Sequence, residues 1–317
     1  MPFKAIPPAR DRLQSRLLVW IGIPVLCYLT ADMVRRMLPH SGRFLDALGQ
    51  FDFALTEIIL ISLAFALVAW RLRAATPLAA VCGGMTCFLL TAFSHFHAGS
   101  SVVHTNLTPL LLLFVLTFQA TRLGQAHKAA AGLAESRKGR NAAQVIANLG
   151  IAALFSSVWI LSYIANWGRI GSWQGDNDGR WLGLFLLPTL AALAEAAADT
   201  VSSEIGQAFG GTPFLLTTLR CVPRGTDGAI SLTGTLAGIL AAAIIAATGA
   251  PALGMSLAEC SVAFAAGVCG LFFDSLLGAT VERKGWIGND LVNFFSTAFA
   301  AAVALLAIRF SQPYFLH

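Results

Sequence analysis

Long apolar runs separated by short polar segments mark nine candidate helices, at 17–34, 53–70, 76–93, 107–121, 142–165, 181–201, 229–249, 252–278 and 289–308. Each is near the ~20 residues a helix needs to cross the hydrocarbon core of a bilayer. The first run follows Lys4, Arg10, Arg12 and Arg16 and contains Pro24. No small-x-small cleavage pattern follows it, so it reads as a retained span and not as a secretory signal. The polar segments are too short to hold a soluble domain, so any chemistry belongs in the membrane or at its surface.

Basic residues give the chain an orientation. Taken by alternate loops, 15 of the 21 Lys and Arg fall in 1–16, 71–75, 122–141, 202–228 and 279–288. Cytoplasmic loops carry the excess of Lys and Arg. The count therefore predicts a cytoplasmic N-terminus, an outside C-terminus and an all-α, polytopic fold of about nine transmembrane helices. Dropping one span would scramble the asymmetry.

Composition agrees. Of 317 residues, 56% are hydrophobic and only 12% charged, against roughly a quarter charged in ordinary soluble domains. The mean hydropathy is +0.71. A water-soluble fold cannot cover that much apolar surface, which excludes a soluble enzyme, a disordered chain and a nucleic-acid-binding module. The net charge of +5 is accounted for by orientation, and no nucleic-acid partner is expected. The six cysteines form no CxxC pair and mostly sit inside apolar runs, where they read as small hydrophobes.

Against this background the acidic residues stand out, because a carboxylate at bilayer depth costs about 2.5–3.5 kcal/mol on insertion scales and needs a partner or a wet cavity. Glu57 and Glu259 stand alone in apolar stretches and favour a structural reading. The stretch 194–206 differs: Glu195, Asp199, Ser202, Ser203 and Gly206 share one helical face on an Ala background. Such a stripe suits either a polar helix contact or a hard divalent cation, since Mg²⁺ takes one or two carboxylates plus substrate phosphates. Next comes a segment rich in Gly and hydroxyls, with Thr218, Arg220, Arg224, Gly225, Thr226, Asp227, Gly228 and Ser231, leading into a helix. A glycine-rich turn before a helix N-terminus offers backbone N–H groups to anions, and arginines can add bidentate phosphate contacts. It is not a Walker loop.

Two more polar elements belong to the same predicted side. Asp274 ends the eighth run, and the ninth opens with Asn289, Asp290, Asn293 and Thr297. Helix capping accounts for Asn289 or Asp290 but not for the residues further in. Before the fifth run, Arg137, Lys138 and Arg140 read as orienting charges, while Asn141, Gln144 and Asn148 share a face. His95, His97 and His104 fall on the opposite side, in an expected loop. Four polar elements thus converge on the cytoplasmic face, where a cytosolic phosphate-bearing ligand could meet a bilayer-resident one.

The runs ADTVSSEIG (198–206), VPRGTDGAISLTGTLAG (222–238), FDSLLGAT (273–280) and GNDLVNFFST (288–297), together with GRNAAQVIAN (139–148), resemble an integral-membrane family long of unknown function. That family includes the plant phytyl-phosphate kinase and a widespread animal transmembrane relative. It is in turn distantly similar to CTP-dependent dolichol and phytol kinases and to CDP-diacylglycerol synthases. Those kinases carry a Lys-Ser/Thr-x-Glu-Gly loop; here the matching stretch is Arg224-Gly225-Thr226-Asp227-Gly228. The resemblance implies phosphoryl transfer from a nucleoside triphosphate, CTP, to an isoprenoid monophosphate with Mg²⁺. It also implies a basic segment and extra first span at 1–50, ahead of a single lipid-phosphate-kinase-like domain at 51–317. The expected roles follow. Asp199, Asp274 and Asp290 are catalytic, and Asp199, Glu204 and Asp274 bind the metal. Glu204, Thr218, Arg220, Arg224, Gly225, Thr226, Asp227, Gly228 and Ser231 bind the nucleotide. Asn141, Gln144, Asn148, Asn289 and Asn293 orient substrate phosphate, and the apolar helices admit the isoprenoid tail laterally. A CDP-lipid-forming cytidylyltransferase and a flippase of phosphorylated lipid are the alternatives. The expected location is a bacterial cytoplasmic membrane.

Overall fold

The computed structural model describes residues 6–38, 53–98, 101–130, 132–133, 139–157, 160 and 180–315. A helix covers each of the nine candidate runs, wholly or in part. They are α1 (Pro8–Met37), α2 (Phe53–Arg71), α3 (Pro77–Ala98), α4 (Leu107–Arg122), a short α5 (Gln125–Ala130), α6 (Ala142–Phe155), α7 (Arg180–Phe209), α8 (Leu232–Ala252), α9 (Leu257–Thr280) and α10 (Asn289–Phe315). Among the described residues, α1, α2, α3, α8, α9 and α10 contain stretches long and apolar enough to cross a membrane, and α4 and α6 are shorter apolar helices. The only sheet among them is a two-stranded antiparallel pair, β1 (Phe214–Leu215) with β2 (Ala229–Ile230). Helices dominate because hydrocarbon cannot satisfy backbone N–H and C=O groups, and a helix satisfies its own.

The helix ends explain several polar residues. At α6, Asn141 accepts from the Gln144 backbone while the Gln144 side chain accepts from the Asn141 backbone. Ser256 and Glu259 make the same reciprocal arrangement at α9, and Ser231 caps α8 through Gly234 N at 3.1 Å. Each cap satisfies N–H groups that a helix start leaves unpaired. The structural reading of Glu259 therefore holds. α6 itself ends at Phe155, followed by a turn at Ser156, and of the rest of the fifth run only Ser157 and the helical Ile160 are described. Residues 158–159 and 161–179 lie outside the described residues. His95 and His97, expected in a loop, belong to α3.

α7 is the axis of the bundle, packing on α4, α6, α8, α9 and α10. Its segment Ala191–Ala198 is buried throughout. Small residues let its neighbours approach this closely. A Cβ at Gly238 of α8 would fall 2.7 Å from Ala198 O, and one at Gly270 of α9 would fall 2.4 Å from Glu195 Cγ. α2 packs mainly on α3 and turns Leu60, Leu63 and Leu67 outward, each more than half exposed. That face is unfavourable in water and ordinary against lipid.

The described parts of the five basic segments gather at one end of the bundle. Arg10 donates to Gly285 O at 2.8 Å, Arg122 to Leu72 O at 2.9 Å, and Arg140 N to Ala74 O at 2.9 Å. The loop 222–228 lies on the end of α9: a Cβ at Gly228 would fall 1.9 Å from Ala279 N. The described parts of these basic segments thus lie together.

Candidate functional site

A polar cavity of about 270 Å³ opens at this loop end. α6 supplies Gln144 and Asn148, α7 supplies Asp199, Thr200, Ser203 and Glu204, and α9 supplies Asp274 and Ser275. Asn289 and Asn293 enter from α10, and the β1–β2 connection supplies Arg224, Gly225, Thr226, Asp227 and Gly228, with Ser231 behind it. The structure therefore brings together most of the residues singled out from sequence.

Asp199, Asp274 and Arg140 all line this cavity, and Asp199 is close enough to the other two for their charges to act on it. Asp274 Oδ2 and Asn148 Oδ1 are buried without a hydrogen-bond partner in the chain. Buried acceptors left unpaired cost about 1–3 kcal/mol each, so this pair of atoms asks for a cation or donors from a ligand. Among the described residues no three His, Cys, Asp or Glu side chains assemble into a metal cluster. Two carboxylates with an orphan oxygen still fit Mg²⁺, which completes its shell with phosphate oxygens and water.

The loop opposite is held by backbone contact. Gly225 and Gly228 both have positive φ, 79° and 67°, conformations that glycine adopts without a Cβ penalty. Arg224 Nε donates to Gly211 O at 2.8 Å, and Thr226 Oγ1 donates to Pro223 O at 2.7 Å. Burial pushes the Asp227 carboxyl above its ordinary value, against the pull of Arg283. Glu282, also buried, lines the cavity close by.

Several expected site residues take other places. Both carboxylate oxygens of Glu204 are engaged, one by Lys128 Nζ at 2.5 Å and the other by Thr121 Oγ1 at 3.4 Å. Lys128 is only 1% exposed and also donates to the carbonyls of Ala120 and Thr121. Glu204 therefore neutralises a buried ammonium, and the expected third metal carboxylate, though it borders the cavity, has both oxygens engaged. Asp290 accepts from Ser15 Oγ of α1 at 2.6 Å and lines a separate depression with Asp11, Arg12 and Asn141. Thr218 and Arg220 are exposed on the β1–β2 connection and are not among the cavity-lining residues. Asn141 and Gln144 are committed to their cap, although Gln144 still borders the cavity.

Arg140 and Thr200 are the functional candidates that sequence reasoning missed. Arg140 Nη2 donates to Thr200 Oγ1 at 3.2 Å, which brings the arginine to the cavity wall. The available signal was its place after Gly139, the last of a basic cluster before an Asn cap, but that cluster also serves orientation.

A family model described as Integral membrane protein DUF92 matches residues 60–301. Protein VTE6, chloroplastic, of Arabidopsis thaliana is 34% identical over 203 residues, which is 62% of this chain and 56% of that protein. An uncharacterized membrane protein of Synechocystis sp. is 32% identical over 62% of this chain and 71% of its own length. Protein PGR of Arabidopsis thaliana is 30% identical over 64% of this chain and 72% of its own length. No solved structure matches the chain.

Proposed function

The chain belongs to the DUF92 family of integral membrane proteins, and from that premise we propose that it phosphorylates an isoprenoid monophosphate to the diphosphate, with a nucleoside triphosphate, CTP, as donor. The observation that carries this reading is that Asp199, Asp274 and the glycine loop 224–228 all line one polar cavity. The family's inclusion of the plant phytyl-phosphate kinase supports the acceptor class, and the similarity to CTP-dependent lipid kinases supports the donor.

Phosphoryl transfer needs positioning and charge neutralisation more than covalent help from the protein. The acceptor is a phosphate monoester with a second pKa near 6, hence largely a dianion at neutral pH. Its oxygen attacks the terminal phosphorus, the bond from that phosphorus to the bridging oxygen breaks, and the nucleoside diphosphate leaves with the electron pair. No general base is required, because no proton has to be removed from the nucleophile. Asp199 and Asp274 would hold Mg²⁺, which supplies neutralisation of the triphosphate charge. Gly225 and Gly228 bring the loop backbone close to the phosphates without side chains intervening. Arg224 adds positive charge at the outer lip, and Asn289 and Asn293 offer amide donors from α10.

The positive-inside count supports a cytoplasmic position for the site, where soluble nucleotide is available. The proposed location is a bacterial cytoplasmic membrane. The test is to incubate purified protein in lipid or detergent with CTP, Mg²⁺ and geranylgeranyl or phytyl monophosphate. CDP and the isoprenyl diphosphate are the expected products. Pyrophosphate with a CDP-lipid would assign a cytidylyltransferase instead, and absence of turnover with every isoprenoid acceptor and nucleotide would refute the kinase reading.

A further inference from the structure

A second and larger cavity, about 550 Å³, meets α7 at Ala196, one turn before Thr200, and has no part in the scheme above. Its volume is within the ~300–1,000 Å³ of small-molecule sites. α2, α3, α4 and α6 supply walls such as Phe65, Ala79, Gly83, Leu113, Phe114 and Val145. At the loop end the same cavity is lined by three arginines, Arg73, Arg122 and Arg140. It is therefore apolar along its length and cationic at one end.

Two residues, Arg140 and Asn148, line both this cavity and the polar one. Arg140 is fixed from its backbone outward. Its N–H donates to Ala74 O and its carbonyl accepts from Thr76 N, each at 2.9 Å. Gly139 before it has φ of 78°, where a Cβ would fall 2.5 Å from Arg73 O. The side chain reaches Thr200, one residue from Asp199, in the polar cavity. Asn148 is 5% exposed. Its Nδ2 donates to Gln144 O at 2.8 Å, while its Oδ1 has no partner. A buried, unpartnered acceptor at the junction asks for a donor, which a water of the ligand's hydration shell can bring between Asn148 Oδ1 and a phosphate oxygen.

The outer wall also suits entry from lipid. α2 and α4 meet at the rings of Phe65 and Phe114, edge to face with centroids 5.4 Å apart. Beyond this contact lie the outward leucines of α2.

We propose that the second cavity holds the isoprenoid chain of the acceptor and that Arg140, with Asn148 beside it, binds the acceptor phosphate at the junction. The charge arrangement selects the occupant. An apolar chain ending in a phosphate satisfies the walls, the guanidinium and the passage to Asp199 together, which neither a free phosphate nor a neutral lipid does. The inference rests on the lipid-phosphate reading above, but its test needs no turnover.

The experiment measures equilibrium binding of radiolabelled geranylgeranyl monophosphate to the full-length protein in detergent, without nucleotide. Inorganic phosphate and geranylgeraniol serve as competitors. Geranylgeraniol should compete through the chain, and inorganic phosphate should compete only weakly. Arg140→Gln should weaken monophosphate binding about ten- to hundredfold, the worth of a hydrogen bond to a charged group. It should leave competition by geranylgeraniol against the residual binding unchanged, and Arg140→Lys should recover part of the loss. Gly83→Phe, which fills the cavity beside Phe65, should weaken both ligands, with thermal unfolding confirming that the variant is folded. Monophosphate bound equally well by wild type and Arg140→Gln would overturn the proposal. So would inorganic phosphate competing as strongly as the lipid, or a folded Gly83→Phe with wild-type binding. Wild-type binding that follows the expected pattern without any diphosphate formation refutes the kinase reading alone. Diphosphate formation with an Arg140→Gln variant of undiminished affinity refutes the junction alone.

Discussion

Gly228→Ala is the sharpest probe of how the glycine loop is set against the carboxylates. Gly228 has φ of 67°, and a Cβ there costs about 1–2 kcal/mol from local sterics. The larger effect is positional. The added carbon would lie 1.9 Å from Ala279 N and 2.5 Å from Ser275 O, whereas ordinary contact begins near 3.4 Å. The loop must therefore withdraw by about 1.5 Å, the difference between 3.4 and 1.9 Å, carrying Asp227 and Thr226 away from Asp274. A displacement of about 1 Å commonly costs ~100-fold in rate. The expected result is a loss of that order in kcat/KM for isoprenyl diphosphate formation, with weaker nucleotide binding and a modest drop in melting temperature. Gly278→Ala, whose Cβ would fall 2.6 Å from Gly228 N, attacks the same contact from α9. The double variant should then fall short of the product of the single effects. Gly254→Ala is the control: its φ is 68°, yet nothing lies within 4 Å of the added carbon, so it pays the local cost without moving the loop. A Gly228→Ala protein with wild-type turnover and nucleotide affinity would refute the idea that this loop lies on the substrate.

Asp199→Asn and Asp274→Asn should each lower turnover by at least ~100-fold by removing charge where phosphate charge must be neutralised, while the protein still purifies and melts cooperatively; full activity in either variant would remove the pair from the site. Lys128→Met should destabilise the protein by about 3 kcal/mol, because it strands the Glu204 carboxylate in a largely buried position; the check is the melting temperature in detergent, and Lys128→Met with Glu204→Gln should regain part of the loss. Burial raises the Asp227 carboxyl above the ordinary 3.8. The folded state therefore holds this proton to higher pH than the unfolded chain, and stability falls as pH rises from about 3.8 to the raised value. Asp227→Asn should flatten that part of a melting-temperature profile and be no less stable than wild type at neutral pH. Glu259→Ala should cost about 1 kcal/mol by opening the α9 cap and leave turnover intact; lost turnover would show that Glu259 does more than cap.

The helices and the sidedness of the loops were legible because the solvent simplifies the problem. Lipid permits little besides helices, so the apolar runs from Phe53 to Arg71 or Asn289 to Ile308 announce themselves. The basic loops mark one end of the bundle for the same reason, since charges stay where water is. The polar residues were less legible because several jobs share one spacing. Asn141 with Gln144 repeats at i, i+3, as does Ser256 with Glu259, and both pairs are caps. The ninth-helix pattern looked like one unit, yet Asn289 and Asn293 border the polar cavity while Asp290 turns to Ser15. Glu204 sits on the acidic side of α7, but Lys128 reaches it from α5, 76 residues earlier. A long-range pair of that kind leaves no local signature, and neither does Arg140 docking beside Thr200.

What these placements share is one face of α7, on which the two cavities meet at successive turns. A lipid-phosphate kinase must bring a triphosphate that belongs in water to an acceptor whose chain belongs in hydrocarbon, and neither can cross fully into the other's medium. On α7, Ala196 borders the apolar cavity while Asp199, Thr200 and Ser203 border the polar one. One turn of helix separates the two environments, about 5.4 Å of rise, close to the scale on which two phosphates exchange a phosphoryl group. A small residue at 196 keeps the apolar side open, and Thr200 anchors Arg140 between the two sides. The Ala background of this helix thus does more than allow close packing. It lets a single buried helix present carboxylates to one ligand and a bare wall to another, with the guanidinium as the point where the two would meet.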